Sequence, residues 1–206
     1  MDAAAPEFDP QTVSGFLEPD EGEALFRQAS AVAAPGAFVE IGSWCGRSTV
    51  YLGRAARRAG RLVFAVDHHR GSEEHQPGEG YHDPELFDAE LGRVDTLPAF
   101  RRTIAHAGLE DAVIAMVGDS AAIGRAWSGP VSFLFIDGGH AMETALADYR
   151  AWAGHVAPGG VLAIHDVFPD PADGGRPPYE IWKRATESDL FEPVERVRSL
   201  EFLRRL

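Results

Sequence analysis

Glu40, Gly42, Ser43, Asp67, His68, Asp119, Asp137, His140, His165 and Asp166 each stand at or just beyond the end of a short apolar run. If those runs are strands of one parallel sheet, the ten residues gather at a single edge, where open α/β sheets bind ligands. A strand end that emerges into solvent is also polar, so the reading of any one residue stays open, but five polar strand ends together argue for a site. In the turn from Glu40 to Thr49, EIGSWCGRST, glycines stand where a backbone must pass close to a ligand, and the following helix N-terminus offers N–H groups to an anion. The turn lacks G-x-G-x-x-G, which counts against a nucleotide-sugar or short-chain oxidoreductase. Asp67 at its strand end has the acceptors to take two ribose hydroxyls, which favours a nucleoside ligand; an exposed strand-end carboxylate is the alternative. An unperturbed imidazole at His140 titrates near neutrality and can take a proton from a hydroxyl, with a cap on the helix from Ala141 or a metal ligand as its other readings.

The elements that must position these residues follow from periodicity. Asp20 reads as the N-cap of a leading helix with Leu25, Ala29 and Val32 at helical spacing, stopped by Pro35-Gly36. Runs 37–41 and 62–66 read as strands around a helix from Arg47 to Ala59. A helix over 96–107, strands over 113–117, 131–136 and 161–164, and a helix from 141 to about His155 continue the alternation, which implies a parallel sheet. Pro158-Gly159-Gly160 reads as a turn. The Gly-, Glu-, His- and Pro-rich stretch 68–84 and the Pro/Gly-dense stretch 167–180 read as loops covering the site, with a helix over 181–187 after the second. Phe191–Val197 and Leu200–Arg205 read as two strands whose tight link at Arg198-Ser199 forces antiparallel pairing. The expected fold is α/β: one doubly wound, Rossmann-like domain over 1–206 with a seven-stranded sheet, a helical segment at 1–35 and a C-terminal antiparallel hairpin.

Composition narrows the function. With 45% hydrophobic and 25% charged residues the chain is an ordinary globular protein. A net charge of -13 argues against nucleic acid or another polyanion as partner. No apolar run of membrane-spanning length and no signal core occurs, so the expectation is a cytoplasmic protein that does not engage membranes. The single Cys45 fits a reducing compartment and reads as a small buried filler. His68, His69, His75 and His82 are irregularly spaced in a Glu-rich loop and read as solvated residues or acceptor contacts rather than a metal cluster. Of the aromatics that could stack on a sugar face, Trp44, Trp152 and Tyr179, Trp152 reads as core because of its helical spacing from Asp148 and Tyr149.

The motif E-I-G-S-W-C-G-R-S resembles the first motif of class I S-adenosylmethionine-dependent methyltransferases, especially the catechol-type O-methyltransferases. The resemblance implies that Gly42 and Ser43 line the methionine part of the cofactor, that Ser48 holds its carboxylate and that Glu40 supports the loop. Gly118-Asp119-Ser120 is similar to the segment that contacts adenine in that family, with Asp119 accepting from the exocyclic amine. With Asp67, His68 and Asp137, these residues make up the expected S-adenosylmethionine site.

I-D-G-G-H (136–140) and P-G-G-V-L-A-I-H-D (158–166) resemble the macrocin-type sugar O-methyltransferases, which depend on a divalent metal. The resemblance spans nearly the whole chain after about residue 35, and is nearest to actinobacterial sugar methyltransferases of methylmannose polysaccharide synthesis. It implies a metal, Mg or Mn, at Asp137, His165 and Asp166, with His140 as general base beside Asp137 in catalysis. His165 departs from the family's second acidic residue, and a nitrogen ligand suits Mn, Fe or Zn better than Mg. The implied activity is methyl transfer from S-adenosylmethionine to a hydroxyl of a sugar or short oligosaccharide, such as a mannoside. A catechol-like small acceptor, or a non-catalytic domain that binds S-adenosylmethionine or a nucleotide, are the rival readings; a mere binder would not need Asp137, His140, His165 and Asp166. A homodimer is among the open oligomeric states.

Overall fold

A computed structural model describes residues 8–139, 141–170 and 172–206. The elements in chain order are α1 (Pro19–Ala31), β1 (Ala37–Ile41), α2 (Arg47–Arg58), β2 (Val63–Asp67), β3 (Phe87–Asp88), β4 (Arg93–Val94), α3 (Leu97–His106), β5 (Val113–Val117), α4 (Ser120–Ala126), β6 (Val131–Ile136), α5 (Met142–Trp152), β7 (Val156–Ile164), α6 (Arg176–Thr186), β8 (Phe191–Val197) and β9 (Leu200–Arg205). Seven strands form one sheet in the order β5-β2-β1-β6-β7-β9-β8, and β3 pairs with β4 in a separate ribbon. The pairs β5/β2, β2/β1, β1/β6 and β6/β7 are parallel, while β9 is antiparallel to both β7 and β8. The architecture is α/β, a doubly wound seven-stranded sheet with a C-terminal antiparallel pair.

Helices cover both faces because the central strands are apolar on both. Phe38, Phe133, Phe135 and Phe202 point to one face and pack with Leu25, Val50, Leu52 and Phe100 from α1, α2 and α3. Val39, Ile41, Leu134 and Ile164 point to the other and pack with Trp152 and Ile181 from α5 and α6. Trp152 is thus core, fully shielded from solvent. Cys45 is buried, and burial pushes its thiol up to about 12, so it is an inert filler. No described helix is long and apolar enough to cross a membrane.

Several boundaries differ from the sequence reading, each for a local reason. α1 begins at Pro19 with Glu18 as N-cap, not Asp20: Pro at N1 lacks the N–H that would go unbonded there, and Glu18 and Glu21 form a capping box. β7 starts at Val156, ahead of the Pro158-Gly159-Gly160 turn; Val156 pairs with Val131 and Val161 with Phe133, so the turn bulges out of a continuous strand. α6 starts at Arg176, because Pro177-Pro178 occupies a first helical turn that tolerates proline. The short α4 and the β3/β4 ribbon carry no periodicity long enough to read from sequence.

The five parallel strands end together at Ile41, Asp67, Val117, Ile136 and Ile164. From β1 the chain runs out through β2 to β5, then crosses to β6 on the other side of β1, so the switch point lies between β1 and β6. There a Cβ on Gly42, whose φ is +83°, would lie 2.2 Å from the Asp137 carbonyl oxygen. Only glycine lets the two strand-end turns pass this closely.

Candidate active site

The β1–α2 turn is held from below by Glu40, which is wholly buried. Its carboxylate accepts from the Ser48 hydroxyl at 2.6 Å and from the Thr49 hydroxyl, pinning the first turn of α2 to β1. Burial pushes Glu40 up to about 8 against these two bonds, with the Asp137 and Asp67 carboxylates adding to the rise. Ser48 is thus paired with Glu40, and a ligand carboxylate at this turn would also meet the N–H groups of the α2 first turn. Ser43 faces the other way: its hydroxyl is buried without a hydrogen-bond partner, as is the Trp44 indole N–H. Unpartnered buried polar atoms at the switch point are what a small polar ligand would satisfy.

Asp67 ties the turn to β2. Its Oδ2 accepts from the Ser43 and Trp44 backbone N–H groups at 3.0 and 2.9 Å, and its Oδ1 from the His69 N–H at 2.7 Å. Three of its about four acceptor positions are filled by backbone. The two ribose hydroxyls of the sequence reading would therefore share the remaining position or displace a backbone donor. His68 beside it is exposed, and its Nδ1 accepts from the Arg70 N–H at 3.0 Å. The Gly118 N–H bonds the Asp67 carbonyl at 3.1 Å, bringing the β5 end to the same edge. Asp119 caps α4, its Oδ1 accepting from the Ala122 N–H at 2.7 Å, and the Ser120 hydroxyl donates to Asp148 at 2.7 Å.

Across the switch point, Asp137, His165 and Asp166 converge: one ligand atom from each lies within 4.8 Å of the others. His165 Nδ1 is 2.9 Å from Asp137 Oδ1 and 3.5 Å from Asp166 Oδ2. The ring is 3% exposed, and on its far side Nε2 lies 3.1 Å from Oε2 of Glu21, itself 1% exposed. Burial opposes a charged ring, but the Asp137 and Glu21 carboxylates outweigh it and hold His165 well above the ordinary histidine range. Glu21 is held below the usual carboxylate range; burial opposes this, and the His165 bond overcomes it. Asp166 has a φ of +57°, a strained backbone of the kind found at functional turns.

Beside this cluster lies a cleft lined by Asp137, Gly138, Gly139, Asp148, His165 and Pro178. Asp148 is buried, which pushes it up to about 6. Glu21 did not figure in the sequence reading, and Asp148 entered it only as a spacing mark for Trp152. His140, the expected base, lies outside the described residues.

The first loop closes over the same edge, and a side chain on Gly139 would meet Ser72 at 3.5 Å. Among the described residues, the grouping of possible metal ligands is Asp137, His165 and Asp166 and includes none of the loop histidines. His69 is buried with Nδ1 2.8 Å from Thr96 Oγ1, and His75 is buried against Ser72, so these two are packed rather than solvated. The His75 and Trp44 ring centroids are 4.2 Å apart, and Phe16 and Tyr81 stand 55% and 59% exposed beside them. Tyr179 packs on Trp182 and under the Arg176 guanidinium.

A family model described as a methyltransferase domain matches residues 39–167, which carry β1 through β7 and every strand end named above. The chain belongs to the methyltransferase domain family. Solved structures agree on the methyltransferase fold. The O-methyltransferase NovP superposes with a TM-score of 0.69 at 19% identity, covering 89% of this chain and 78% of its own. Cofactor-bound Rv0187 from MTB gives 0.64 at 18% identity, over 91% and 79%. The calicheamicin methyltransferase CalS11 gives 0.63 at 15% identity, over 91% and 80%.

Proposed function

We propose that this methyltransferase domain is an S-adenosylmethionine-dependent O-methyltransferase whose acceptor is a hydroxyl of a sugar or short oligosaccharide, assisted by a divalent metal. The observation that carries the reading is the convergence of Asp137, His165 and Asp166 within 4.8 Å at the β6 and β7 ends, beside the turn that the family match includes. Two carboxylates and an imidazole form a donor set that suits a divalent ion, and taking one up requires the proton on Nδ1 to leave. The unpartnered Ser43 hydroxyl and the α2 N-terminus fit the polar end of S-adenosylmethionine.

S-adenosylmethionine supplies an electrophilic methyl, and the metal supplies charge that eases deprotonation of a bound hydroxyl. The chain's own part is to place the acceptor oxygen in line and to remove its proton. Asp137 and Asp166 would hold the metal with His165, Ser72 of the first loop borders the cleft at Gly139, and His140 is proposed as the base. Support for a sugar comes from the exposed rings of Phe16 and Tyr81, which offer apolar surface to a pyranose face, and from a related fold: CalS11 is a TDP-rhamnose 3'-O-methyltransferase of calicheamicin biosynthesis. The acceptor is expected to be neutral, because a chain of net charge -13 repels anions.

A methyl-donor assay over neutral sugars, catechols and small acids tests this, run with and without exhaustive chelation. The expected result is turnover on a neutral sugar that EDTA abolishes and Mn or Mg restores. Preference for a catechol over every sugar overturns the acceptor, and full turnover in metal-free protein removes the metal from the mechanism.

A further inference from the structure

We propose that Glu21 is a positioning residue for the metal site: from α1 it fixes the His165 ring so that Nδ1, not Nε2, is turned to Asp137 and Asp166. The inference rests on the metal reading above. Its first support is placement. Glu21 lies on the stripe of α1 that also carries Ala24, Leu25 and Ala29 into the core, a place where an unpaired carboxylate is costly. Its second is saturation. Oε2 accepts from the Glu18 N–H at 3.1 Å and lies 3.1 Å from His165 Nε2, while Oε1 accepts from the Ser199 N–H at 3.1 Å and its hydroxyl at 2.8 Å.

The carboxylate is thus fixed from the start of its own helix and from the β8–β9 turn, and it presents one oxygen to the Nε2 edge of one ring. Turning that ring over would strip a buried oxygen of its partner. A histidine that ligates through one nitrogen commonly donates its other N–H to a carboxylate, which sets the ring's orientation and raises its basicity as a ligand. Here the two sides of the ring already meet those two environments. Gly22 eases the approach: a Cβ there would lie 2.4 Å from the Tyr51 ring, which would have to shift for α1 to stay this close to α2.

The test measures Mn2+ binding by electron paramagnetic resonance for the wild type, E21Q, H165N and the double variant, with circular dichroism as a check on folding. E21Q keeps the size and an acceptor for Ser199 but loses the charge. The expected result is a loss of Mn2+ affinity of about 10- to 100-fold in E21Q, and no further loss when E21Q is added to H165N. If the wild type binds no Mn2+, the metal reading fails and this inference with it. Binding within about twofold of wild type in E21Q, or an equal loss in the H165N background, overturns this inference alone. Should E21Q not fold, nitrogen-15 spectra of the histidine-labelled, Mg- or Zn-loaded wild type decide: Nε2 of His165 must carry the proton, and a proton on Nδ1 overturns the proposal.

Discussion

His140 follows Asp137 by three positions, and a base there has one distinctive signature. His140→Ala should lower turnover by about a hundredfold or more while leaving cofactor affinity intact. Near-normal turnover with a lowered melting temperature would instead make it a helix cap. Glu40 gives a second prediction. Because burial raises it from 4.5 to about 8, the folded state keeps a proton that the unfolded chain releases. Its contribution to stability is full below pH 4.5 and is lost as the pH rises to about 8, with a slope of at most about 1.4 kcal/mol per pH unit. Glu40→Gln should flatten that decline; an unchanged slope between pH 5 and 8 in chemical denaturation would show that Glu40 does not cause it. At this scale Asp137, His165 and Asp166 were legible because strand ends are predictable from apolar runs, and side chains there share an edge. Glu21 was not, because a Glu three residues after an N-cap has a sufficient local reason to be there. Only its place on the apolar stripe with Ala24, Leu25 and Ala29 marked it as buried. Asp148, one turn before Trp152 on α5, was hidden in the same way.

Among the elements, the segment before α1 is tied to α2 by Arg47 of the first motif, beside the Gln11–Tyr51 and Arg54–Phe8 hydrogen bonds. Arg47 donates to the Val13 carbonyl through Nε at 2.9 Å and Nη2 at 2.7 Å, and to the Leu17 carbonyl through Nη1 at 3.0 Å. Arg47→Ala should cost about 1.5–3 kcal/mol, the range for hydrogen bonds to a charged group. It should also speed amide exchange over residues 8–18 while the sheet stays protected. Unchanged exchange there would mean that the segment is held by its other contacts with α2, the Gln11–Tyr51 and Arg54–Phe8 hydrogen bonds among them. The strands β1, β8 and β9 have the bounds that alternation and turn residues predict, since each is flanked by glycine, a polar turn or a two-residue link. Where the sequence misled, proline and glycine were the cause. Both read as breakers, yet Pro177-Pro178 opens α6 and Pro158-Gly159-Gly160 bulges within β7. α4 spans only Ser120–Ala126 and contains Gly124, too short for its period to emerge.

For the whole molecule, the parallel order from β5 to β7 sets one edge as the site, and the switch point between β1 and β6 sets where on that edge two ligands can meet. The alternation of strand and helix made that much predictable. It could not show how Asp67 spends its acceptors, since backbone N–H groups of the β1–α2 turn are invisible to side-chain pattern. The β6 and β7 ends, Asp148 of α5 and Pro178 and Ile181 of α6 then shape one cleft from segments apart in the chain. The central claim is that this edge binds S-adenosylmethionine, and titration calorimetry with its demethylated product, S-adenosylhomocysteine, tests it most directly. The account predicts saturable binding of one equivalent and, at a hundredfold excess over Kd, a stabilisation of about 2.7 kcal/mol. Heat with NAD and none with S-adenosylhomocysteine would contradict it.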